Sequence, residues 1–306
     1  MLSTAQSPKE TVALLQFHAG RNDYELNVDS TPRKFIVHVP GGYDPARPTP
    51  VVFVFHGSNQ NGSLMYKNTA WVDQAEKENI LLVFPSSWEY FITRENRVEE
   101  KWNDVRLVEL AQPGAELKND VHFVQVILEQ LRATFNLDEK RIYATGGSNG
   151  GGFVVSRLAV QMNDVFAAYS TCGAILLGDI DTSMMAITIN ASLYNVFGSL
   201  DEKIAELNGL TLPFPFQADE IINDPNFSKM LLTTTTILGL EMDYTVKSEG
   251  DFTTFTFDKS AVGADNEYIF RMVRGMGHVY PSGDNNRAGL NASDLFWGFF
   301  MQHVKP

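Results

Sequence analysis

Residues 50–55, P-V-V-F-V-F, constrain the fold of this chain more than any other stretch. A strand with one face in water alternates apolar and polar side chains. A run that is apolar at every position instead suits a central parallel strand covered on both faces. Residues 35–39 read as a strand closed by Pro40, and runs similar to 50–55 occur at 80–84, 141–145, 166–170, 193–197 and 268–273. Helical patterns lie between them. In 121–135, Val121, Val124, Leu128, Leu131 and Phe135 recur at spacings of three and four, with Asp120 placed to cap the first turn. Further helices are expected to open at Asn149 and to run over 293–304. This alternation predicts a three-layer α/β fold with a mostly parallel central sheet flanked by helices. No repeat or linker divides the chain, so one domain over 1–306 is expected.

The composition excludes several function classes. Hydrophobic residues make up 44% of the 306 and charged residues 20%, which is a globular balance. Lys and Arg number 24 against 37 Asp and Glu, a net charge of −13 that repels phosphate backbones and argues against a nucleic-acid partner. With Cys172 as the single cysteine there is no internal disulfide, and it reads as a buried, inert thiol. No apolar run reaches the ~18 residues of a membrane span. Residues 1–9 are polar and lack the basic-then-apolar layout of a leader, so the protein is either cytoplasmic or has lost its leader. Metal-binding signatures such as H-E-x-x-H, paired C-x-x-C or a calcium loop do not occur, so no metal or other cofactor is expected.

Two stretches break the alternation. Residues 86–119 carry Trp88, Tyr90, Phe91 and Trp102 among many charges, and 208–226 are rich in Pro and Phe, including Phe214 and Phe216. Connections of this length usually act as lids or binding loops, the alternative being well-packed surface excursions. Trp88, Trp102 and Phe216 are accordingly the expected substrate contacts.

The chemistry centres on T-G-G-S-N-G-G-G, residues 145–152, between the strand at 141–145 and a helix. It contains G-x-S-x-G, the sharp turn that lifts a serine hydroxyl, here Ser148, above a sheet. Side chains at the flanking glycines would clash across the turn. A serine hydroxyl needs a base, and in this topology the acid and then the histidine follow the serine. Of six histidines only His278 and His303 lie beyond Ser148. His278, in the glycine-rich R-G-M-G-H-V-Y-P after a strand, is the expected base; His303, near the chain end, reads as a surface residue. Asp201, after the strand and turn N-V-F-G-S-L, is the expected acid, with Glu202, Asp243 and Asp258 behind it. The oxyanion donors would be the backbone N–H groups of Asn149 and, in H-G-S-N-Q after the 50–55 strand, Ser58. His56 would serve to fix that loop.

These pieces in this order resemble the α/β-hydrolase superfamily. Within it, F-V-F-H-G-S-N-Q, D-V-H-F-V-Q-V-I-L-E-Q-L, R-I-Y-A-T-G-G-S-N-G-G-G, N-V-F-G-S-L-D and R-G-M-G-H-V-Y-P resemble the esterase family of polyhydroxybutyrate depolymerases and feruloyl esterases, over roughly residues 33–304. The resemblance implies Ser148 as nucleophile, Asp201 as acid and His278 as base. It also implies a secreted serine esterase forming an acyl-enzyme on a small or polymeric ester, of hydroxycinnamoyl (feruloyl) or polyester type. Family members usually carry Cys where this chain has Ser58, and often further disulfide cysteines. The rival readings are a peptidase or acyltransferase of the same fold, or a non-catalytic binding protein on a hydrolase scaffold.

Overall fold

The computed structural model describes residues 14–174, 192–263 and 265–305; the polar stretch 1–9 lies outside the described residues. The strands in chain order are β1 (Gly20–Val28), β2 (Thr31–Val39), β3 (Thr49–Phe55), β4 (Leu81–Pro85), β5 (Trp88–Ile92), β6 (Arg97–Lys101), β7 (Leu137–Gly147), β8 (Ala168–Cys172), β9 (Ser192–Gly198), β10 (Thr245–Glu249), β11 (Phe252–Phe257) and β12 (Tyr268–Val273). The helices are α1 (Gly62–Asn68), α2 (Trp71–Glu78), α3 (Leu107–Leu110), α4 (Asp120–Thr134), α5 (Asn149–Phe153), α6 (Ala159–Gln161), α7 (Glu202–Asn208), α8 (Ala218–Asn223), α9 (Pro225–Ile237) and α10 (Ala292–Phe300), with a π turn, Val154–Leu158, joining α5 to α6.

Ten strands form one sheet in the order β1-β2-β4-β3-β7-β8-β9-β12-β11-β10. The six strands from β4 to β12 run parallel, and antiparallel pairs extend both edges. β3 is buried at every position, as its composition predicts. Successive side chains of a strand point to opposite faces. Val51, Phe53 and Phe55 therefore enter one apolar layer with α4, while Val52 and Val54 enter the other with α2 and α10. Fully burying such a side chain contributes about 1.5–3 kcal/mol, which favours the unbroken apolar run from Pro50 to Phe55. No helix among the described residues is long and apolar enough to cross a membrane.

Several sequence expectations shift. Asn119, not Asp120, caps α4, its side chain accepting from His122 N–H. Asp120 is instead buried, 2.6 Å from Arg33 and accepting from the Asn103 N–H. The strand expected at 166–170 lies two residues later, because the turn before β8 keeps Phe166 and Ala167 outside the ladder. The terminal helix stops at Phe300. The stretch 86–119 contains the β5–β6 hairpin and α3, built around Tyr90, Ile92, Leu107 and Ala111. In 208–226, Phe214 is buried against Phe227 at the start of α9.

Candidate active site

The loops that carry the candidate residues all leave the C-terminal ends of the parallel strands, where open α/β sheets gather their ligand sites. β7 delivers Ser148 on a turn with φ 52° and ψ −124°, a left-handed conformation that costs a non-glycine residue on the order of 1–3 kcal/mol. The surroundings hold it there. Ser148 N–H donates to the Cys172 carbonyl (2.9 Å), and Gly152 N–H donates to the Ser148 carbonyl (2.8 Å). A Cβ on Gly150 would lie 2.3 Å from the His56 carbonyl oxygen, and one on Gly146 would lie 2.6 Å from the Gly150 carbonyl carbon. The flanking glycines are thus required by close backbone approach.

Asp201 follows β9 and His278 follows β12. His278 Nδ1 lies 2.8 and 3.0 Å from the two Asp201 carboxylate oxygens, with Asp201 buried and His278 partly open to the cleft. An Nδ1–H bonded to a carboxylate leaves Nε2 as the ring atom available to a substrate-side proton. Gly173 after β8 makes room for this pair: its φ is +58°, and a Cβ there would come within 3.1 Å of Asp201 Oδ2 and His278 Nδ1. The other acids named from sequence stand elsewhere. Glu202 accepts the His278 backbone N–H rather than the ring, Asp243 pairs with Lys259, and Asp258 is exposed. His303 is not a surface residue: it is half-buried, bonded through Nδ1 to the Phe299 carbonyl (2.9 Å) and 3.4 Å from Glu267, remote from Ser148.

The turn after β3 faces the elbow, with Gly57 close enough that a Cβ would sit 3.3 Å from Ser148 Cβ. Gly57 N–H donates to Gln60 Oε1. Among the described residues, neither the Ser58 nor the Asn149 backbone N–H has an acceptor. The Asn149 side chain is tied back instead, accepting from Trp102 N–H (2.7 Å) and donating to Asp104 (3.1 Å), whose carboxyl is pushed up by burial. His56 is fully buried, and burial lowers its pKa to about 4. Its Nε2 accepts from Ser87 N–H, so Nδ1 carries the proton and donates to the Gly57 carbonyl (2.7 Å). His56 thereby braces the turn, as its position in the sequence suggests. Burial also pushes the Cys172 thiol well up, so it stays protonated although it borders the cleft.

Ser58, Ser148 and His278 line one cleft of about 450 Å³. The three aromatics expected to touch substrate do not line it. Trp102 is fully buried, stacks on Phe153 and donates its indole N–H to the His56 carbonyl, so it is a core residue beneath the site. Trp88 packs against the Tyr90, Ile92, Leu107 and Ala111 cluster under Lys118, 5.7 Å from its ring centroid, and borders a separate groove of about 1020 Å³. Phe216 packs under the Arg274 guanidinium, 4.1 Å from its ring centroid. Two residues at the site went unmarked in the sequence reading. Tyr280, two positions after His278, accepts from the Trp71 indole, bonds Thr145 and packs over Gly147. Lys101 reaches Ser58 from β6. Tyr280 lies within the G-H-V-Y-P motif and was open to notice; nothing in the local sequence marks Lys101.

A parallel-centred sheet with a serine elbow after one strand and an acid–histidine pair after two others defines the α/β-hydrolase fold. Solved structures agree on the architecture. An acetyl xylan esterase from Aspergillus awamori superposes with a TM-score of 0.60 at 14% identity, covering 92% of this chain and 99% of that one. An S-formylglutathione hydrolase from Agrobacterium tumefaciens gives 0.58 at 12% identity, covering 96% and 99%. A ferulic acid esterase gives 0.53 at 12% identity, covering 87% and 94%. A bifunctional acetylxylan esterase/xylanase from Neocallimastix patriciarum is 23% identical over 219 residues, 67% of this chain, and the match spans 28% of that protein's length. Residues 34–199, more than half of the chain, match the Esterase PHB depolymerase family. The chain belongs to that family.

Proposed function

We propose that the protein hydrolyses esters through an acyl-enzyme on Ser148. As Ser148 Oγ attacks the ester carbonyl, His278 Nε2 takes its proton, and Asp201 holds Nδ1–H and stabilises the imidazolium. The Ser58 and Asn149 N–H groups receive the oxyanion. His278 then protonates the leaving alcohol, and water repeats the sequence on the acyl-enzyme. The observation that carries this reading is the strained Ser148 elbow opening on the same cleft as the His278–Asp201 pair. Its test is fluorophosphonate labelling and turnover of Ser148→Ala, His278→Ala and the double variant. Each is expected to lose about 10⁴-fold or more in kcat, with the double variant scarcely worse, because the residues act as one unit. Turnover or labelling surviving in Ser148→Ala would rule out the assignment.

The cleft also favours one kind of ester. Most of the described residues lining it are polar or charged, including Asn59, Gln60, Asn68, Arg97, Lys203 and Asn285, and apart from the His278 imidazole Tyr280 is the one aromatic side chain among them. That suits a short acyl group on a hydroxyl-rich alcohol, such as an acetylated sugar, and the acetylxylan esterases among the relatives fit it. A feruloyl ester, the reading the ferulic acid esterase neighbour supports, needs a slot for a planar ring. Comparing kcat/KM on acetylated oligosaccharides, methyl ferulate, hydroxybutyrate oligomers and matched amides separates these substrates, with the acetyl esters expected to lead. Amide turnover above ester turnover would favour the peptidase alternative.

A further inference from the structure

We propose that Lys101 is a positioning residue for this reaction: from the end of β6 it holds the Ser58 turn and fixes a positive charge on the side of the cleft where the oxyanion forms. The inference rests on the reading of Ser148 as nucleophile with Ser58 N–H as an oxyanion donor. Lys101 Nζ lies 2.7 Å from Ser58 Oγ and 3.2 Å from Glu99 Oε2, with only 12% of its side chain exposed. An ammonium group desolvated to this degree persists only when paired, and Glu99 supplies the pairing. Glu99 is itself buried. Burial pulls its carboxyl up, but Asn59, Arg97 and Lys101 together outweigh burial and hold it below the usual carboxylate range.

The same strand grips the turn a second time, since Asn59 N–H donates to the Glu100 carbonyl at 3.0 Å. With Gly57 N–H taken by Gln60, every backbone N–H from 57 to 59 is engaged within the described residues except that of Ser58. A main-chain donor stabilises a transition state only when it is held in place before charge develops, and Lys101 pins the residue that carries this donor. An ammonium can only donate, so Ser58 Oγ accepts from Lys101 and its hydroxyl proton stays free, polarised by the neighbouring charge. A pair whose only role was structural would be complete with Glu99. The additional contact to Ser58 connects Lys101 to the reaction.

The test compares wild type, Lys101→Met, Lys101→Arg and Ser58→Ala on p-nitrophenyl acetate, alongside melting temperatures and inhibition by a boronic acid that mimics the tetrahedral intermediate. Lys101→Met is expected to lower kcat about 10- to 100-fold with KM nearly unchanged, less than the 10²- to 10³-fold cost of deleting an oxyanion donor outright. Boronate affinity should fall in step with kcat/KM. Lys101→Arg should recover part of the loss, and Ser58→Ala should lower kcat by a smaller factor. Wild-type kcat in Lys101→Met, or a loss confined to KM or melting temperature, would overturn the proposal. If Lys101→Met does not fold, Ser58→Ala decides, because it keeps the Lys101–Glu99 pair; wild-type kcat there overturns the proposal equally. Failure of the underlying reading is distinguishable, since it would appear as activity persisting in Ser148→Ala.

Discussion

Asp201 holds His278 and starts a helix with the same carboxylate: Oδ1 lies 2.8 Å from His278 Nδ1 and 2.9 Å from the Ile204 N–H at the first turn of α7. Capping fixes the carboxylate before the imidazole meets it, although 77 positions separate the two residues. Asp201→Asn tests this. Asn caps a helix about as well as Asp, so the variant should keep its melting temperature while kcat falls about 10⁴-fold through loss of the imidazolium partner and the wrong tautomer. Asp201→Ala should add a stability loss of about 1 kcal/mol from the missing cap. Calorimetry beside steady-state kinetics checks both, and an active Asp201→Asn would remove Asp201 from the mechanism.

Gly173→Ala should damage stability and turnover together. The left-handed φ costs an alanine about 1–2 kcal/mol, and its Cβ would press on the Asp201–His278 pair at 3.1 Å. Displacing the imidazole by a fraction of an ångström is expected to lower kcat at least tenfold. A variant that is destabilised but turns over at the wild-type rate would show that the pair yields without cost.

His56 predicts an acid-side loss of stability. Burial, helped by Arg33 and opposed by the hydrogen bond to the Gly57 carbonyl, lowers its pKa to about 4 in the folded protein, against 6.5 ordinarily. Between these values the unfolded chain binds the extra proton, so stability rises with pH. The contribution is complete above 6.5 and is lost as pH falls toward 4, by up to about 3 kcal/mol. Urea unfolding across this range should show the slope in wild type and a shallower one in His56→Gln. Equal slopes would mean that the imidazole reaches solvent.

Trp102→Phe should act on stability and leave acyl preference alone. It removes the indole hydrogen bond to the His56 carbonyl and part of the stack on Phe153, which is expected to cost about 1–3 kcal/mol. The ratio of kcat/KM for acetate and ferulate esters should stay at its wild-type value. A changed ratio would bring Trp102 back as a substrate contact.

Local sequence carried a large part of this molecule. Apolar runs mark buried parallel strands because both faces of β3 are covered, and the glycines around Ser148 mark an elbow because a Cβ on Gly146 or Gly150 would fall within 3 Å of backbone. The order of Ser148, Asp201 and His278 was readable for a related reason: each ends a parallel strand, so all three loops emerge on one side of the sheet. The edge strands β1 and β10, and β11 next to β10, were harder to read. β11 alternates buried with half-buried side chains and β10 is exposed throughout, so neither stands out as an apolar run.

Burial and chain direction within the long connections were not legible. An aromatic residue has the same composition signal whether it enters a cleft or the core, and only packing sends Trp102 inward, Trp88 into the small cluster under Lys118 and Phe216 beneath Arg274. The contact of Lys101 with Ser58, 43 residues apart, arises from the β5–β6 hairpin folding back over the turn after β3. The strand core and the serine elbow were legible in the chain alone, because short-range sterics and two-sided burial leave few residues able to occupy them. What surrounds the serine was set by long-range packing, because those contacts join segments whose local patterns carry no record of each other.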